Sequence, residues 1–152
     1  MRIPGSLACV VALVFLAACG QKPESVSSVL NVKEVTLPGG QKIAAEVMML
    51  DLDMARGMMF RDSLAPDRGM LFFHAQPGNY AYWMYQVRIP LDIVWMDSTR
   101  RIVEISANTP PCKTKASECP SYGGKATAQY VLELAGGMAA KYGLQQGQII
   151  SF

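Results

Sequence analysis

Turn-forming residues punctuate this chain at short intervals and leave room for short elements only. Pro38-Gly39-Gly40, Ala65-Pro66-Asp67-Arg68-Gly69, Gln76-Pro77-Gly78-Asn79, Ser98-Thr99-Arg100 and Gly136-Gly137 each read as turns. The segments between them are rich in branched and aromatic residues, the composition of strands. They are Val29 to Leu37, Ile43 to Met49, Met70 to Phe73, Tyr80 to Tyr85, Leu91 to Asp97, Ile102 to Ala107, Gln129 to Leu134 and Gln148 to Phe152. In the second, Ile43, Ala45, Val47 and Met49 share one face at period two, which predicts a hairpin with the first. About eight short strands predict a single, mainly β domain over residues 29–152, a compact sandwich or barrel.

Two short helices complete the reading. Asp51 can cap a helix in which Met54 and Met58 fall on one side, with Gly57 near its end. Met138 to Tyr142 follows Gly136-Gly137 and is stopped by Gly143. Thr109 to Gly124 is a long loop, and its length implies either function or a staple.

The first residues are of another kind. Arg2 precedes an apolar run from Leu7 to Leu16, too short to cross a ~30 Å hydrocarbon core. Small residues follow, as in a secretory signal peptide. Because Leu16-Ala17-Ala18 ends on Cys19, the segment resembles a bacterial lipoprotein signal; an ordinary signal peptide is the alternative. The resemblance implies a leader over 1–18, a lipidated Cys19 and a polar tether over 19–28. The membrane is then a partner through the N-terminal lipid, for which two or more acyl chains give stable anchoring. Gly20 stands where an aspartate would favour inner-membrane retention, so the expected place in a two-membrane cell is the outer membrane, facing the periplasm.

Charge narrows the partners. Lys and Arg number 14 against 12 Asp and Glu, and no block of like charge appears. Nucleic acid is not implied, since Lys113, Lys115 and Lys125 make only a thin basic face. Cys9 lies in the leader. Cys112 and Cys119 remain, and export to an oxidising compartment predicts a disulfide between them. Zinc would need four ligands, and only His74 is available to help. A redox-active pair would be expected as C-x-x-C.

Five pieces then occur in order: Gly57-Met58-Met59-Phe60-Arg61, Gly69-Met70-Leu71-Phe72-Phe73, Trp83-Met84, Ile89-Pro90-Leu91-Asp92-Ile93, and Tyr130-Val131-Leu132-Glu133-Leu134 with Gly137. Together they resemble the domain of unknown function (DUF) 192 family, from about Ala44 to the end. The resemblance implies a mostly β fold, often secreted, and no agreed activity. The Cys112 and Cys119 loop with Pro120-Ser121-Tyr122 also resembles secreted members. One departure stands out. The family usually has Lys-Asn-Thr where this chain has Tyr85-Gln86-Val87; Gln86 can replace an amide, but Tyr85 cannot supply a lysine's charge.

Arg61, Asp92 and Glu133 sit among apolar neighbours, where a carboxylate is costly to bury unless paired. One reading makes Asp92 and Glu133 an acid–base pair of a hydrolase-like enzyme acting on envelope material. The other makes Arg61 a structural tie, with Asp92 and Arg61 as a buried pair. Trp83, Tyr85, Gln86 and Tyr122, with Arg61 and Asp92, are candidate binding residues. Tyr80, Tyr82 and Met84 share one strand face and Trp83 and Tyr85 the other, so one set is expected in the core. Nine methionines follow the leader: Met48, Met49, Met54, Met58, Met59, Met70, Met84, Met96 and Met138. Thioethers are soft ligands for Cu(I), and His74 can add an imidazole; methionine is also a common core filler. No G-x-S-x-G, phosphate loop or metal triad is present, and no resident cofactor or metal is implied. The expected function is a binding module for an unknown small molecule or envelope protein. The hydrolase and a copper-handling lipoprotein are the alternatives.

Overall fold

The computed structural model describes Met1 and residues 31–152. The expected cleavage site, Cys9, Cys19 and the 19–28 tether lie outside the described residues. The domain is mainly β. Eight strands run β1 (Val32–Thr36), β2 (Lys42–Met48), β3 (Arg68–Gly78), β4 (Ala81–Trp83), β5 (Leu91–Met96), β6 (Ile102–Thr109), β7 (Ser121–Gly123) and β8 (Ala128–Ala135). Two short helices, α1 (Asp51–Arg56) and α2 (Met138–Lys141), accompany them. No helix among the described residues is long and apolar enough to cross a membrane.

Six strands form one mixed sheet in the order β1-β2-β3-β8-β5-β6, and β4 and β7 form a separate ribbon. β1 and β2 make the expected antiparallel hairpin. β2 and β3 are parallel, so the chain must cross over between them, and it does so through the α1 segment. β5 is buried along its whole length. Its residues alternate between two cores, because successive side chains point to opposite faces. Val94 and Met96 join Leu71, Leu132, Leu134 and Ile150 on one face. Leu91, Ile93 and Trp95 join Met70, Phe72, Met84 and Val131 on the other.

The C-terminal segment differs from the strand expected there. Ser151 exchanges backbone hydrogen bonds with Thr36 (2.8 and 3.0 Å), while Ile150 N–H donates to Arg100 and Gln148 C=O accepts from Ile102. It therefore bonds to both margins of the sheet and draws them toward closure around the first core. The long loop also holds more than expected, for β7 pairs with β4 within it. Gly123 allows this ribbon to lie on Trp95: a Cβ there would sit 2.2 Å from the indole. β3 runs through the expected turn at Pro77-Gly78, with its pairing to β8 interrupted between Phe73 and Gly78.

Candidate functional site

Asp92 and Glu133 do not form a pair. In the β5–β8 register Ile93, not Asp92, stands opposite Glu133. The one-residue offset sends the two carboxylates to opposite faces. Asp92 is fully buried and accepts three backbone N–H donors: Asn108 (2.6 Å), Gly137 (3.1 Å) and Ala139 (2.5 Å). It ties the β6 end and the first turn of α2 to β5, and it is not the partner of Arg61.

Arg61 instead holds Glu46. Its Nη1 and Nη2 donate to the two carboxylate oxygens at 2.5 and 2.6 Å, a bidentate fork. Local structure places the guanidinium. Gly57 ends α1 with φ +43°, donating its N–H to Asp53 C=O. Phe60 then takes φ +64° and donates its N–H to Gln86 C=O at 2.9 Å, pinning the chain just before Arg61. The Glu46 bond raises the Arg61 pKa and burial opposes it.

Pairing across the sheet puts Glu46, Met70, Glu133 and Ile93 in one row. Glu133 is 5% exposed, and its Oε2 has no hydrogen-bond partner among the described residues. Burial pushes its pKa up to about 8, with the Arg61 charge pulling the other way. Burial thus favours its neutral form. Beside the Arg61–Glu46 fork lies a cleft of about 690 Å3, walled by Met48, Met49, Leu50, Met59 and Phe60 with Asp53 and Arg56 at hand. Its lining pairs a flexible apolar wall with balanced charge, which suits a ligand with an apolar body and a polar head.

The aromatic strand splits as its alternation predicts: Met84 is fully buried, Tyr82 packs against the second core, and Trp83 is exposed. The Tyr82 hydroxyl meets His74 Nε2 at 3.1 Å, and the His74 ring stacks on Tyr80. Burial keeps Tyr82 protonated and lowers the His74 pKa. Trp83 and Tyr85 pack together at 5.3 Å, and Tyr122 pairs with Tyr82 in the ribbon. Gln86 lines a second cleft with Phe60, Arg88 and Lys113. Its φ is +56°, a region asparagine enters more readily than glutamine, so the amide that the family resemblance calls for there also has a backbone role. Cys112 and Cys119 are joined as a disulfide, and Cys112 also lines that cleft. No group of three or more His, Cys, Asp or Glu side chains placed to hold a metal occurs among the described residues.

A family profile described as DUF192, uncharacterized ACR, matches residues 33–152. The chain belongs to the DUF192 family. Among curated proteins, none matches this DUF192 chain. Two solved structures resemble it. A protein of unknown function from Novosphingobium aromaticivorans is 29% identical, with a TM-score of 0.70 over 80% of this chain and 85% of that one. A proposed transcription regulator from Sinorhizobium meliloti is 26% identical, with a TM-score of 0.68 over 78% of this chain and 89% of that one. Within the DUF192 domain, Glu46 is the site residue that sequence reasoning missed. Its signal was present, since period two sets Glu46 on one face with Met48, opposite Ile43 and Ala45.

Proposed function

We propose that this DUF192 chain is an envelope lipoprotein, anchored through Cys19, whose β domain binds an amphiphilic small molecule or partner segment in the cleft beside Arg61. The observation that carries the binding reading is the cleft wall of Met48, Met49, Leu50, Met59 and Phe60 beside the Arg61–Glu46 fork, with the buried Glu133 carboxyl two strands away in the row of Glu46 as support. An acid with a buried, unpartnered oxygen is costly to keep, and such costs cluster where a site has work to do. The apolar run ending at Cys19 supports the anchor, and the Cys112–Cys119 disulfide suits an exported protein. The envelope placement, with the outer membrane as its seat, rests on the same residues.

Two assays test the proposal. Growth with an alkyne-bearing fatty acid should label the wild-type chain and leave Cys19→Ser unlabelled and released from membranes; equal labelling refutes the anchor. Anilinonaphthalene sulfonate, an apolar body with one charged head, is the binding probe for the Cys19→Ser chain. It should bind at one saturable site, and Met59→Asp should weaken it by tenfold or more. No saturable uptake, or uptake indifferent to Met59→Asp, refutes the cleft.

A further inference from the structure

We infer that the corner of the domain around Val32, Met49, Leu50 and Leu52 rests on the membrane, with its apolar side chains seated in the headgroup boundary of a zwitterionic bilayer. The inference rests on the anchor at Cys19 proposed above and says which face that anchor presents. Large apolar side chains exposed among the described residues are mostly here: Val32, Met49, Leu50, Leu52 and Phe60, with Leu50 69% and Leu52 85% exposed. Single exposed apolar residues are ordinary, but a cluster of them marks a protein or membrane contact. The fold makes the cluster. Met49 and Leu50 leave the end of β2 and lead into α1, which buries no residue. Val32 stands opposite Glu46 at the start of β1. Asn31, Met49, Leu50 and Phe60 line one cleft.

Two observations name the bilayer as the occupant. The first is where the chain from Cys19 enters the domain. Asn31 C=O accepts from Val47 N–H at 2.7 Å, next to Met48 and Met49. The stretch from Cys19 to Asn31 reaches no more than about 40 Å even fully extended. An anchored Cys19 therefore keeps this corner near the bilayer at high effective concentration, and a few apolar side chains suffice to seat it. The second is charge. α1 sets Asp51 and Asp53 against Arg56. With no basic excess the helix gains nothing from anionic lipid, so the apolar side chains supply the contact. The Pro38-Gly39-Gly40 turn lies at the far end of the β1–β2 hairpin, beyond Thr36 and Lys42, and is held away from the bilayer.

The test uses a chain starting at Cys19, which keeps every described strand, in a Trp83→Phe background. Its Cys19 thiol is joined to phosphatidylcholine vesicles carrying a maleimide lipid, while Cys112 and Cys119 stay in their disulfide. This coupling supplies the tether whether or not a cell lipidates Cys19, so failure of the docking and failure of the anchor are told apart. Leu52→Trp places a reporter at the corner and Gln41→Trp places one at the hairpin turn, both at exposed positions. Trp95 is buried and common to both chains. Brominated acyl chains in the same vesicles should quench the first reporter by half or more and leave the second unchanged. Adding Leu50→Asp to the Leu52→Trp chain should relieve most of that quenching. Leu50 is the N-cap of α1, where aspartate is favoured, so the helix is kept. Equal quenching at both positions, quenching at neither, or quenching indifferent to Leu50→Asp overturns the docking. A dimer that Leu50→Asp dissolves, with the corner reporter unquenched, gives the face to a second copy and overturns it as well.

Discussion

Removing the Asp92 carboxylate should unfold the chain more readily than any other single polar substitution near the strands. Its oxygens accept from Asn108, Gly137 and Ala139, and the residue is fully buried. Hydrogen bonds to a charged acceptor are worth about 1.5–3 kcal/mol each, so three set a ceiling of roughly 4.5–9 kcal/mol. Water lowers that figure. Asn108 and Gly137 lie at the surface, where a solvent molecule can replace a lost acceptor, whereas Ala139 is buried. Asp92→Ala should therefore cost about 3–5 kcal/mol, as for a broken buried charge interaction. Asp92→Asn keeps one oxygen for Asn108 and Gly137 but turns an amide N–H₂ toward the Ala139 N–H, and should cost about 2 kcal/mol. Urea unfolding followed by Trp95 fluorescence measures both, read as a shift in midpoint at constant slope. The order wild type, Asn, Ala is required. Two variants within ~0.5 kcal/mol of wild type, the range of an ordinary surface change, would refute the tie, as would Asn falling below Ala.

Glu133 makes stability depend on pH. Its folded pKa is raised from 4.5 to about 8, so its contribution is fully present below the unfolded value and is lost as pH rises through the folded one. Between these values wild-type unfolding free energy should fall by up to ~1.4 kcal/mol per pH unit relative to Glu133→Gln, and parallel pH profiles for the two would contradict a neutral buried acid. Reducing the Cys112–Cys119 bond, which closes a loop of sequence separation 7, should cost about 2.5 kcal/mol by the chain-entropy model. A Cys112→Ser, Cys119→Ser chain as stable as wild type would show that the β4–β7 ribbon already orders the loop.

The element pattern was legible because turns and short apolar runs are local signals. Gly57 ending α1, the β1–β2 hairpin and the Cys112–Cys119 bond could all be anticipated from residues close in sequence. The candidate site was legible only in part, and the reason is geometric. Alternation tells which residues of a strand share a face, but assigns that face to core or solvent only when the two faces differ in polarity. β5 is buried on both faces, so its alternation carries no such contrast. The relative facing of Asp92 and Glu133 is then set by register alone, and pairing Ile93 with Glu133 leaves Asp92 opposite Leu134, on the other side. The same register brings Glu46 into the row of Glu133, with only Met70 between them. Arg61 reaches that row from a segment held by Phe60 on Gln86, a contact between residues far apart in sequence. Two carboxylates that look equivalent in sequence therefore have different work. Asp92, satisfied by three backbone donors, fixes the helix that covers one core. Glu133, with an oxygen left unpartnered among the described residues, lies on the opposite face, in the row of Glu46.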